Sequence, residues 1–176
     1  MKRLLLIASI IAVGLSSFGQ SNPIDDFFEK YSGREGFTTI YISSRMFSLI
    51  AQADLDDDEL QETMNNLKSI RILTVEDSVL NRKHNFYKEL TKTLDLSDYE
   101  ELMVVQDGGQ DLKFLIREKG RRIEELLMIG GGGEGGNILL SIKGDLDLEN
   151  ISNISKNIGI EQLEGIDNAK NKKKYD

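Results

Sequence analysis

Apolar residues first recur at helical spacing at Ile24, Phe27, Phe28 and Tyr31, behind an Asn22-Pro23 pair suited to capping and opening a helix. Gly33 and Gly36 break that helix, and Thr38-Thr39-Ile40-Tyr41-Ile42, rich in β-branched and aromatic residues, reads as a strand. Ser43 or Ser44 can cap a second helix, whose Met46, Phe47, Leu49, Ile50 and Ala53 are expected to face the core. Beyond Asp54 to Asp58 a third helix is predicted, with Asp58 and Gln61 at capping-box spacing and Leu60, Met64 and Leu67 as its inward stripe. Ile70, Ile72, Leu73 and Val75 read as a second strand. From Ser78 to Leu94 the placing of Val79, Phe86, Leu90 and Leu94 along one side predicts the longest helix.

The pattern changes at about Tyr99. Leu102 to Val105, Leu112 to Arg117, Ile123 to Ile129 and Ile138 to Lys143 read as strands, separated by Asp107-Gly108-Gly109, Lys119-Gly120 and Gly130 to Gly136. Aspartate and glycine supply the positive φ of hairpin turns, so these four strands are expected to form an antiparallel meander. Leu112, Phe114 and Ile116 share a face opposite Lys113 and Arg117, which predicts one covered and one wetter side. A last helix, capped by Asp147, presents Leu148, Ile151, Ile154 and Ile158. The whole is expected to be one α+β domain over residues 20–164. It has an antiparallel or mixed sheet of about six strands and helices packed mainly on one face, followed by a polar, disordered tail over 165–176.

The N-terminus alters the picture, because Lys2 and Arg3 precede the apolar or small run Leu4 to Leu15 and then Ser16-Ser17-Phe18-Gly19-Gln20. That run is shorter than the roughly 20 residues a membrane-spanning helix needs, and the small residues Ser17 and Gly19 precede a cleavage point. Residues 1–19 therefore read as a signal peptide, leaving a chain that begins at Gln20 in the periplasm or outside the cell. No membrane anchor is expected after cleavage, since no cysteine is present to carry a lipid.

Loss of residues 1–19 removes two basic side chains and no acidic ones, moving the net charge from −8 to −10. A surface of that sign repels phosphate backbones, which argues against a nucleic-acid partner. The basic cluster Lys170 to Lys174 sits in the polar tail, where a charge run is solvated. With no cysteine there is no disulfide, iron–sulfur cluster or thiolate nucleophile, and stability must come from an ordinary core.

The blocks Glu35 to Phe47, Leu67 to Glu76 and Tyr99 to Ile154, taken together, resemble the family known as domain of unknown function 4252, exported proteins of Gram-negative bacteria. The likeness covers roughly Ile24 to Gly159 and consists of strand and turn patterns. It implies export and carries no activity or binding residue. Relatives with a lipid-anchor cysteine belong to the same family, and this chain departs from them.

Three features invite a chemical reading. Asp54-Leu55-Asp56-Asp57-Asp58-Glu59 resembles a calcium loop, but Glu59 stands where the loop needs glycine and Asn65 where it needs a bidentate glutamate. An exposed linker favouring the next helix accounts for it, and the same holds for Asp145, Asp147 and Glu149. Gly130 to Gly136 lacks the lysine and hydroxyl residue of a phosphate loop and leads into a strand, so it reads as a flexible hairpin tip. His84, the single histidine, falls on the long helix roughly opposite Phe86 and Leu90, toward solvent.

No catalytic, metal or cofactor-binding residue is assigned. The expected role is a non-enzymatic envelope domain that binds a protein partner or self-associates through its sheet. The alternative is a periplasmic domain binding a small molecule or cation, and a carboxylate-dependent hydrolase would require a convergent carboxyl pair in a deep cleft.

Overall fold

In a computed structural model of the protein, residues 22–53, 58–95, 97–133 and 136–147 are described. The leader, the helix expected after Asp147 and the tail over 165–176 lie outside these residues. Helix α1 (Pro23–Tyr31) opens as its sequence suggests, with the Asn22 side chain accepting the Ile24 amide at 2.9 Å and Pro23 in the first turn. Strand β1 (Phe37–Ser43) runs directly into α2 (Ser44–Ala51), and α3 (Asp58–Asn66) directly into β2 (Leu67–Val75). Then come α4 (Ser78–Lys83), α5 (Phe86–Thr93) and the strands β3 (Glu100–Asp107), β4 (Gln110–Lys119), β5 (Arg122–Gly132) and β6 (Ile138–Leu146).

The six strands form one antiparallel sheet in the order β1-β2-β6-β5-β4-β3. The meander over β3 to β6 follows its turns, where Gly108 and Gly120 take the positive φ that the tight reversals demand. β6 then returns beside β2 and joins the first two strands to the last four. β1 and β3 are left as the edges.

Both faces of the sheet carry helices, where the sequence suggests mainly one. Phe47 and Ala51 of α2 and Met64 of α3 pack with Ile70, Phe114, Leu126, Met128, Leu140 and Ile142. On the opposite face Ile24, Phe27, Phe28 and Tyr31 of α1 and Phe86 and Leu90 of α5 pack with Leu73, Leu115, Leu127, Ile129 and Leu139. The reason lies in β5, whose Leu126-Leu127-Met128-Ile129 run is apolar on both sides and fully buried. Each such side chain contributes about 1.5–3 kcal/mol on leaving water, so neither face is left bare. The side of β4 expected to be wetter, that of Lys113 and Arg117, also holds the buried Leu115.

Two helices differ from the pattern read off the sequence. The long helix over Ser78 to Leu94 is two helices, α4 and α5, with His84 and Asn85 extended between them. Asn85 caps α5 by accepting the Lys88 amide at 2.8 Å, and a residue far along the chain, Asn137, accepts the Phe86 amide at 2.8 Å. In α2 only Phe47 and Ala51 are buried, while Met46, Leu49 and Ile50 are exposed. The apolar arc of this helix is wider than the strip that β1, β2 and α3 cover.

Candidate functional site

The polar side chains buried in the fold are the first place to look for chemistry. Glu125 of β5 is completely buried and both of its oxygens are engaged. Ser141 donates to it at 2.7 Å and Tyr99 at 2.9 Å, while Arg117 Nη2 stands at 3.1 Å and Lys143 Nζ at 3.8 Å. Burial first, then the negative charge of Glu125 and the hydrogen bond to it, push the Tyr99 phenol well above its ordinary range. Across the same face, Lys143 reaches Asp25 of α1 at 3.4 Å, and Asp25 also pairs with Arg71, whose guanidinium lies over the Phe28 ring at 4.0 Å. The result is a row of alternating charge across β4, β5, β6, α1 and β2, with three cations to two carboxylates. It fastens α1 to the sheet, and the Glu125 carboxylate at its centre is fully buried.

A second cluster lies where α1 meets α5. Tyr31 donates to Glu89 Oε2 at 2.7 Å, Lys30 Nζ reaches the same oxygen at 3.0 Å, and His84 Nδ1 lies 3.3 Å from Glu89 Oε1. Burial works to raise the Glu89 carboxyl, but the donors Tyr31, Lys30 and His84 outweigh it and hold it below its ordinary range. His84 is thus neither helical nor turned to solvent. Its ring is edge-on to Tyr31 and near Phe37, with both centroids 5.4 Å away.

Asn137, which no sequence pattern marks, ties the β5–β6 connection to both helices. Its side-chain amide donates to the Asn81 carbonyl at 3.0 Å and the His84 carbonyl at 3.1 Å, so the end of α4 and the start of α5 are satisfied by one residue. The glycine run is correspondingly not only a hairpin tip. Gly130, Gly131 and Gly132 belong to β5, and a Cβ on Gly131 would stand 2.8 Å from the Tyr87 amide nitrogen and 3.0 Å from that of Phe86. Glycine is needed there because the start of α5 lies against the strand; residues 134–135 lie outside the described residues.

The acidic groups hold no ion-binding geometry among the described residues, where no three His, Asp or Glu side chains gather. Residues 54–57 are outside them. Asp58 and Glu59 occupy the first turn of α3, and Gln61 donates to the Ala51 carbonyl at 2.8 Å, joining α3 to α2 where a capping box was expected. Arg122 pairs with Asp145 at 2.8 Å and Asp147 at 3.0 Å; Glu149 is not described.

What remains open is the β1 edge. Among the described residues no strand pairs with its outer side. Its seven residues, Phe-Thr-Thr-Ile-Tyr-Ile-Ser, include no charge, proline or glycine. Ile40 and Tyr41 are 44% and 65% exposed, and the exposed Met46, Leu49 and Ile50 of α2 follow directly in the chain. On the α1 side of the same edge lies a hollow of about 360 Å³ lined by Phe28, Glu29, Ser32, Thr39, Tyr41 and Arg71. The Thr39 hydroxyl is buried beside it without a hydrogen-bond partner.

An antiparallel sheet with helices on both faces, polar clusters beneath α1 and an edge left open among the described residues define an α+β domain. The family described as a domain of unknown function (DUF4252) matches residues 31–154, well over half of the chain, and the protein belongs to that family. No curated protein and no solved structure matches the chain.

Proposed function

We propose that this protein is an exported, non-enzymatic domain of the bacterial envelope that works by binding protein along the β1 edge. The observation that carries the reading is the uncharged strand Phe37–Ser43 with its outer side unpaired, continued by the exposed apolar stripe of α2. An open strand offers backbone donors and acceptors to an added strand, and the apolar side chains beside it give the contact its burial. Export is supported by the basic and apolar N-terminal pattern over residues 1–19. A role outside catalysis is supported by Glu125, a fully buried carboxylate whose hydrogen-bond donors Tyr99 and Ser141 are side chains of the fold.

The test is made in cells with a photo-crosslinking amino acid in place of Tyr41. A discrete adduct is expected from protein whose N-terminus is Gln20, recovered in the periplasmic or secreted fraction, and none from the same probe at Lys119, the exposed last residue of β4. Full-length protein confined to the cytosol, or equal labelling from both positions, contradicts the reading.

A further inference from the structure

We propose that the strand received by β1 is β1 of a second copy of this chain, antiparallel about a two-fold axis at Ile40, so that two six-stranded sheets continue as one. The inference rests on the reading of β1 as the binding edge and adds the identity of the partner.

Hydrogen-bond parity sets the register. The Glu76 amide donates to the Gly36 carbonyl at 3.1 Å, one step beyond the pair of Phe37 with Val75. Bonded and non-bonded pairs alternate along an antiparallel ladder, so Thr38, Ile40 and Ile42 turn their backbone groups toward β2. Thr39, Tyr41 and Ser43 turn theirs outward. An added strand must therefore bond to the odd-numbered residues. With the axis at Ile40, Thr39 meets Tyr41 and exchanges both bonds, while at the ends the Ser43 amide donates to the Phe37 carbonyl, the Phe37 amide being held already by the Arg34 carbonyl at 3.2 Å. Ile40 then faces its own counterpart in a non-bonded pair, where side chains approach most closely.

Side chains fit the same register. On the α2 face Thr38 lies opposite Ile42 on either side of the central isoleucines, and the two Met46, Leu49 and Ile50 stripes flank the seam. On the other face each Tyr41 lies across from Thr39 of the second copy, beside the 360 Å³ hollow. The net charge of −10 on the chain that begins at Gln20 opposes association at long range, but salt screens it over about 10 Å and β1 itself carries no charged residue. A strand pair with two apolar stripes is on the order of the smallest stable interfaces, about 1,200 Å² in total, which suits a reversible homodimer.

The chain has no cysteine, so Ile40→Cys supplies a single thiol. At the axis the two Cα atoms stand about 4.5 Å apart, within disulfide reach. On mild oxidation of the purified protein, Ile40→Cys is expected to form a covalent dimer at least about tenfold faster than Ile42→Cys or the β3-edge control Leu102→Cys, because only the axial residue meets itself. A mixture of Thr38→Cys and Ile42→Cys is expected to form the mixed dimer. A monomer at every concentration tested, or equal oxidation of the three cysteine variants, overturns the self-pairing. If a discrete adduct with a different protein still forms at position 41 in cells, only the partner is wrong; if no adduct forms there, the binding edge falls with it.

Discussion

β1 and β3 border the same sheet at opposite ends and are finished in different ways. β3 carries Glu100, Glu101 and Asp107, its register is interrupted between Glu101 and Met103, and Glu101 is held by Lys113 of β4 at 2.8 Å. Charge and a bulge are the usual devices that keep an edge strand from accepting another chain. β1 has neither device, although three residues in ten of this chain are charged, and its register with β2 is unbroken over all seven residues. The difference teaches that exposure alone does not define a binding edge, since Leu102 and Val105 of β3 are also exposed. What separates the two is whether a neighbour's backbone can approach without burying a charge.

The largest expected effect comes from the sheet behind both edges. Glu125→Ala strands Arg117 and the Tyr99 and Ser141 hydroxyls under α1, and is expected to cost about 2–4 kcal/mol in urea unfolding, with the dimer constant of the folded protein unchanged. A loss below about 1 kcal/mol would mean that the row of charges does not hold the sheet. Next, Asn137→Ala removes the bonds joining α4 and α5 to the β5–β6 connection and is expected to cost about 2–3 kcal/mol by the same measurement. Its effect should stay on the α5 face, leaving β1 as able to pair as before.

The edges themselves come third. Ile40→Lys sets two ammonium groups directly opposite one another and is expected to weaken the dimer by about thirtyfold in sedimentation equilibrium, roughly 2 kcal/mol. Val105→Lys on β3 is expected to leave it unchanged, and equal effects from both would erase the distinction between the edges. The smallest effect is that of pH. The Glu89 carboxyl lies below its ordinary value of 4.5 in the folded protein, so its contribution to stability is complete above about that pH. The contribution is lost as acid protonates the folded carboxyl. Thermal midpoints between pH 6 and 3 should therefore fall less steeply for Glu89→Gln than for the parent.

Local chemistry made much of the fold legible. Asn22-Pro23 marked the start of α1, and the aspartates and glycines between the later strands marked the meander, because a cap or a turn is decided by a few neighbouring residues. The break between α4 and α5 was hidden because Asn137, which accepts the Phe86 amide, lies 51 residues away. Nothing local singles out Glu125, since Tyr99, Arg117 and Ser141 reach it from other segments. The candidate site was half visible. The β-branched run of β1 announced a strand, but nothing local says that it ends a sheet. In α2 the spacing of Met46, Phe47, Leu49 and Ile50 gave an apolar arc without showing which part the sheet would cover.

Residue-resolved amide exchange tests most directly that β1 is an interface. The Thr39, Tyr41 and Ser43 amides are predicted to become protected as protein concentration rises through the dimer range, while the β3 amides facing away from β4 exchange at a constant rate. Fast exchange of the three β1 amides at every concentration, in purified protein and in envelope extracts alike, would contradict the account.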